Sequence, residues 1–210
     1  MRDDHYAPGT VIALLETDQV TAPTRRILLE RLAKNPAAAP RFFDSTAFEL
    51  LRMVSARLIP QPHPARCIDL AGLLDTQLLE SPGKGWRYDS LPPDDQAFRV
   101  GLQGIHETSV EMFAQPFTAL NEREQIAVLT AVQKGLAPGA IWQQLPANRF
   151  FEELLAALVA IYYAHPWSQE DIGVVAMADK QGWHSIGLDE LETIEPVALN
   201  KRTHDTAGKF

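Results

Sequence analysis

A chain of 210 residues that is 46% hydrophobic can bury a core unaided, and its single cysteine, Cys67, excludes an internal disulfide, a paired CxxC metal site and a CxxCH haem attachment. A formal charge of −8 argues against sequence-independent binding to phosphate backbones, which depends on clustered Lys and Arg, so nucleic acid is not an expected partner. No apolar run approaches the roughly 20 residues of a membrane span, so a soluble protein without membrane insertion is expected.

The dominant period along the chain is helical, and no alternating strand of five or more residues stands out. "TRRILLE", residues 24 to 30, carries the paired arginines of a twin-arginine export signal. Glu30, Arg31 and Lys34 then interrupt the place where an apolar stretch of about 7–15 residues should follow. Pro23 to Lys34 therefore reads as an amphipathic helix with Ile27, Leu28 and Leu32 on its apolar face, ended by Asn35-Pro36. In "STAFELLRMVSARLIP" Thr46 and Glu49 have capping-box spacing, and Ala47, Leu50, Leu51, Val54 and Leu58 line one side until Pro60. The prolines at 60, 62 and 64 predict an extended corner. Cys67, Leu70, Ala71, Leu74 and Leu78 mark a third helix, followed by the turn-rich "SPGKGWRYDSLPP" with Trp86 and Tyr88.

The longest helix is expected from Pro93 to Ala114, with Phe98, Leu102, Ile105 and Met112 on its apolar face. Gly101 and Gly104 in its interior each cost about 1 kcal/mol relative to Ala, which predicts close approach of a neighbour there. Asn121 and Glu124 have cap-like spacing before Ile126, Leu129 and Val132, and Gly135 can close that helix. "NRFFEELLAALVAIYYAHP" reads as the central core helix, capped by Asn148, with Glu152 and Glu153 in its first turn. Its apolar face is Phe151, Leu154, Leu155, Leu158, Val159 and Tyr162. His165-Pro166 ends it, because the residue before proline is biased away from helix, and so gathers Tyr162, Tyr163 and Trp167 at a turn. Gly173, Gly182 and Gly187 follow, with Trp183 and His184 between them. The fold class is all-α: an irregular bundle of about six to seven helices with a Gly- and aromatic-rich C-terminal loop region. The clustered rings fit either a cap on the core or anchors of a protein interface.

Sites of chemistry are mostly missing. "GKGWRY" lacks the third glycine of GxGxxG and follows no strand, and neither GxxxxGK[ST] nor GxSxG occurs. "HETSV", from His106, has Val110 where a zinc helix would place its second histidine. Glu152 and Glu153 are helix neighbours and diverge by roughly 100°, the wrong geometry for a paired acid and base. No catalytic residue, cofactor site or metal site is expected in this chain. The competing reading is a stand-alone ligand- or metal-binding helical protein or small enzyme using His106, Glu107, His165 and His184; a homodimer is a further one.

"FFDSTAFELLRMVSARLIPQ", followed about a hundred residues on by "FFEELLAALVAIYYAHPWSQEDIG" and then "GW", resembles subunit 3, the small subunit, of gluconate 2-dehydrogenase and related membrane-associated sugar and polyol dehydrogenases. The resemblance runs from about Phe42 to Gly187. Its most telling residues are Tyr162, Tyr163, His165, Pro166, Glu170, Ile172 and Gly173; Phe48 to Pro60 is a weaker second marker. It implies a single helical domain of this type over 23–199, between an N-terminal extension, 1–22, and a polar tail, 200–210. It also implies a noncatalytic subunit that supports maturation and export of a large FAD-dependent flavoprotein of the glucose–methanol–choline type, often alongside a cytochrome c. FAD would then be the partner's cofactor. Residues expected to face that partner are Trp86, Tyr163, His165, Pro166, Trp167, Gly173 and Trp183. Many members begin with a twin-arginine signal that this chain lacks, so its expected location is cytoplasmic, or periplasmic if a signal-bearing partner co-exports it.

Overall fold

The structure is a computed structural model that describes residues 9–33, 39–61, 66–81, 91–174 and 190. The described residues are all-helical, with eight α-helices and no strand among them. They are α1 (Thr10–Leu14), α2 (Ala22–Ala33), α3 (Ser45–Leu58), α4 (Leu70–Glu80), α5 (Asp94–Phe113), α6 (Glu122–Gln133), α7 (Ala147–Tyr163) and α8 (Pro166–Ile172). Short 3₁₀ turns at Phe117–Ala119 and Ile141–Gln143 precede α6 and α7. The chain divides into two compact units: residues 1–34 with 163–210, and residues 35–162.

In the unit of residues 35–162, α5 packs against α3, α6 and both 3₁₀ turns. The two glycines explain how: a Cβ at Gly101 would lie 2.1 Å from the Phe150 ring of α7, and one at Gly104 would lie 2.6 Å from the Trp142 ring. The expected close approach is therefore by aromatic rings against bare backbone, and the packing offsets the helical cost of glycine. Trp142 Nε1 donates to Thr108 Oγ1 at 2.7 Å, Thr108 Oγ1 donates to the Pro138 carbonyl at 2.9 Å, and Glu107 accepts from the Ile141 N–H at 3.1 Å. These three bonds fasten residues 138–142 to α5.

Phe117, Phe150, Leu51, Leu102, Ile105, Leu154 and Leu158 are fully buried in this unit. Met112 and Ile126, expected on apolar faces, are exposed instead, because the buried stripes of α5 and α6 run through Thr108, Ser109, Gln125 and Val128. Gln125 can be buried because its amide is used fully: Nε2 donates to the Phe117 and Leu120 carbonyls, and Oε1 accepts from Arg57 Nε at 2.7 Å. Val159 of α7 is also exposed.

Helix starts follow local chemistry, with shifts. α3 is capped by Asp44, which accepts from the Ala47 N–H at 2.8 Å; Thr46 lies inside the helix and Glu49 pairs with Arg52. α4 begins after Asp69, whose side chain accepts from the Gly72 N–H, and so leaves Cys67 outside and exposed. Asn121 and Glu124 form the expected capping box of α6, and Gly135, at φ 67°, closes it. α7 starts at Ala147, which places Asn148 inside the helix rather than at its cap.

A buried acid supplies the tie that no local pattern announced. Asp75 of α4, 3% exposed, accepts from the N–H groups of Arg41, Phe42 and Phe43 at 2.8, 3.0 and 2.9 Å. The bent approach to α3 thus has its backbone donors satisfied by a side chain.

In the other unit, Leu14, Leu15, Val20 and Leu28 form a small apolar cluster with Leu32 against it. Leu28 and Leu32 behave as expected, whereas Ile27 is exposed. Leu14, Leu15 and Val20 bring residues that precede α2 into this cluster.

Candidate functional site

The segment with the densest functional signal is the turn from α7 into α8. His165 is extended at φ −89° and ψ 135° and serves as the N-cap of α8, its Nδ1 accepting from the Trp167 N–H at 3.2 Å. Pro166 occupies the first helical position, where its missing N–H costs nothing. Part of the expected loop is therefore a short helix. Gly173, at φ 67°, closes α8 in the left-handed conformation that glycine adopts without strain.

His165 and Pro166 are buried, Trp167 and Gly173 are half-buried, and Tyr163 is 47% exposed. The His165 and Trp167 rings lie 4.9 Å apart. Ser168, fully buried, donates through Oγ to the His165 carbonyl at 2.8 Å, and Gln169 Nε2 donates to the Tyr163 carbonyl at 3.2 Å. Trp86, Trp183 and His184 lie outside the described residues.

Burial holds the His165 imidazole below its ordinary value of 6.5; a hydrogen bond to the Arg31 backbone pulls upward, and the Arg31 charge adds to the lowering. With Nδ1 accepting a hydrogen bond, the neutral ring is the form that fits. His165 thus acts as a backbone cap.

Three charged side chains lock the turn's surroundings. Glu170 of α8 accepts from the Gly9 N–H at 2.5 Å and from the Ile12 N–H at 2.9 Å, placing a carboxylate at the positive end of α1. Arg25 of α2 donates to the carbonyls of Leu15, Thr17 and Val20 beyond the other end of α1. Arg31 donates to the Ala164 carbonyl at 2.9 Å, just past α7. Arg25, the first of the paired arginines, is thereby consumed in a fold contact, and Arg26 makes an exposed pair with Glu30 at 3.9 Å. Glu170 stood within the family-like motif, which hinted at importance; nothing in local spacing marked Arg25 or Arg31.

His106 and Glu107 do not converge. His106 lines a cleft beside α3, whereas Glu107 is committed to Ile141 on the other side of its helix. Among the described residues, no group of three or more His, Cys, Asp or Glu could hold a metal ion. No helix among them is long and apolar enough to cross a membrane.

The fold and this site define an all-α protein whose singular feature is a histidine-capped aromatic turn between two helices. The family described as Gluconate 2-dehydrogenase subunit 3 matches over residues 45–188, from the first residue of α3 past the end of α8. The chain belongs to that family, named for one subunit of a dehydrogenase complex. Neither a curated protein nor a solved structure matches it.

Proposed function

We propose that the chain is a noncatalytic small subunit that binds and stabilises an FAD-dependent dehydrogenase of the glucose–methanol–choline type during maturation, within a helical module spanning 23–199. Family membership over residues 45–188 carries this reading. Redox chemistry would reside on the partner's flavin, and this chain would contribute surface and no reacting group. The α7–α8 turn supports the role of a docking edge. Tyr163 and Trp167 offer apolar bodies with polar tips, held by His165, Pro166 and Gly173, while Trp86 and Trp183, outside the described residues, are further residues expected to face the partner.

The energetics are sufficient. A standard interface buries on the order of 1,600 Å² in total. Binding only the folded flavoprotein stabilises it by about 2.7 kcal/mol at a hundredfold excess over Kd. A cytochrome c subunit and co-export with a signal-bearing partner belong to the same reading; without co-export the complex stays in the cytoplasm.

Co-expression with a candidate large flavoprotein tests it. Yellow, dye-reducing enzyme should co-purify with this chain, and its yield should fall when the chain is omitted. Sugar- or polyol-oxidising activity in the isolated chain, with its own metal or flavin, would instead favour the stand-alone enzyme.

A further inference from the structure

A cleft of about 350 Å³ opens between α3, α5 and the turn at Phe117–Ala119. That volume lies at the small end of sites for drug-sized ligands. Its floor is apolar and fully or nearly buried: Phe43, Leu50, Leu102 and Phe117. Its rim is polar. Arg99, Gln103 and His106 stand at intervals of four and three residues along α5, which puts all three on one stripe, and all are exposed.

Arg99 gives the rim its sign. Its guanidinium carbon sits 3.9 Å from the centroid of the Phe42 ring, and no ion pair to it exists among the described residues. A guanidinium held over a ring loses less freedom when it takes an anion, and keeps donors in a fork suited to a carboxylate. Asp44 is the lining carboxylate, and its Oδ1 is already engaged by the Ala47 N–H as the cap of α3. The backbone of Phe42, the ring under Arg99, and of Phe43 is itself tied to Asp75. In a chain of net charge −8, an anion would be held only where local cations and donors outweigh the general field.

We propose that this cleft binds a small amphiphile, one carboxylate on an apolar body, with the body on the Leu50–Leu102–Phe117 floor and the carboxylate at Arg99. The proposal is independent of flavoprotein binding.

Octanoate is the probe, with 1-octanol and octylammonium as neutral and cationic counterparts, each titrated calorimetrically into the full chain. Octanoate should bind saturably at one site, octylammonium at least tenfold more weakly, since a charge-assisted contact is lost and a like charge introduced. Arg99→Gln should weaken octanoate about tenfold while leaving 1-octanol unchanged, and Ala47→Phe, which fills the cleft, should abolish both. Circular dichroism checks that each variant keeps its helices; Arg99 is exposed, so that variant remains informative if the other unfolds. Equal binding of all three probes, or octanoate binding unchanged in Arg99→Gln, overturns the proposal. So does an absence of saturable octanoate binding together with loss of flavoprotein capture in both variants, which would assign the cleft to a partner's side chain.

Discussion

Two single residues set terms that their helices cannot. Asp75 satisfies three backbone N–H groups from a buried position, and removing it would leave the buried donors of Phe42 and Phe43 without an acceptor. Each such loss costs about 1–3 kcal/mol, so Asp75→Ala should lower stability by on the order of 3 kcal/mol in urea unfolding. Asp75→Asn, which keeps one oxygen for Phe42 and Phe43, should lose about half as much. Gly101 is the second. Helix propensity alone would make Gly101→Ala stabilising by about 1 kcal/mol. A Cβ 2.1 Å from the Phe150 ring requires that ring to move in a packed core, at a cost of about 1–3 kcal/mol, so the variant should be net destabilised. Pairing it with Phe150→Leu should recover part of the loss, measured by the same unfolding midpoint.

At the scale of the element, α1 has only five residues, too few to persist by its own hydrogen bonds. It is held at its start by Glu170 and beyond its end by Arg25, each complementing the helix dipole. Glu170→Ala should therefore speed amide hydrogen exchange at Gly9 and Ile12 by about fivefold, consistent with loss of a capping interaction near 1 kcal/mol, while exchange in α5 stays unchanged. The start of α8 carries the pH dependence. Because His165 is held below 6.5, the unfolded chain binds more protons than the fold in the window below that value. Its contribution to stability is complete above about pH 6.5 and is lost as pH falls through the lowered value. His165→Asn, which can still cap α8, should remove that dependence, read as a flat thermal midpoint across the window.

For the whole molecule, the proposed role predicts separable losses. Trp167→Ala and Tyr163→Ala should reduce capture of the flavoprotein while leaving helical content intact, measured by co-purification and circular dichroism. Tyr163, being 47% exposed, contributes less to its own fold than the buried His165 and Pro166 beside it. Loss of helicity in both variants would assign the rings to the core instead.

The parts legible without coordinates were those whose physics is local. The helical period, the Asn121–Glu124 box, the Gly135 stop and the break at His165-Pro166 each depend on residues within about five positions of one another. Close approach at Gly101 and Gly104 was legible too, because glycine inside a helix demands a reason; its identity, rings from Phe150 and Trp142, was not. The family resemblance likewise rested on a compact motif at the end of α7. Only the tertiary structure decided that Asp75 meets residues 41–43, that Glu170 reaches α1, and that Arg25 and Arg31 close carbonyls. It also decided that Met112 and Ile126 face outward and that Arg99 stands over Phe42 at an apolar cleft. Apart from the Arg25 bonds, which reach back 5 to 10 positions, these contacts join residues 32 to 161 positions apart and leave no periodicity behind, because their geometry exists only once the intervening helices have packed.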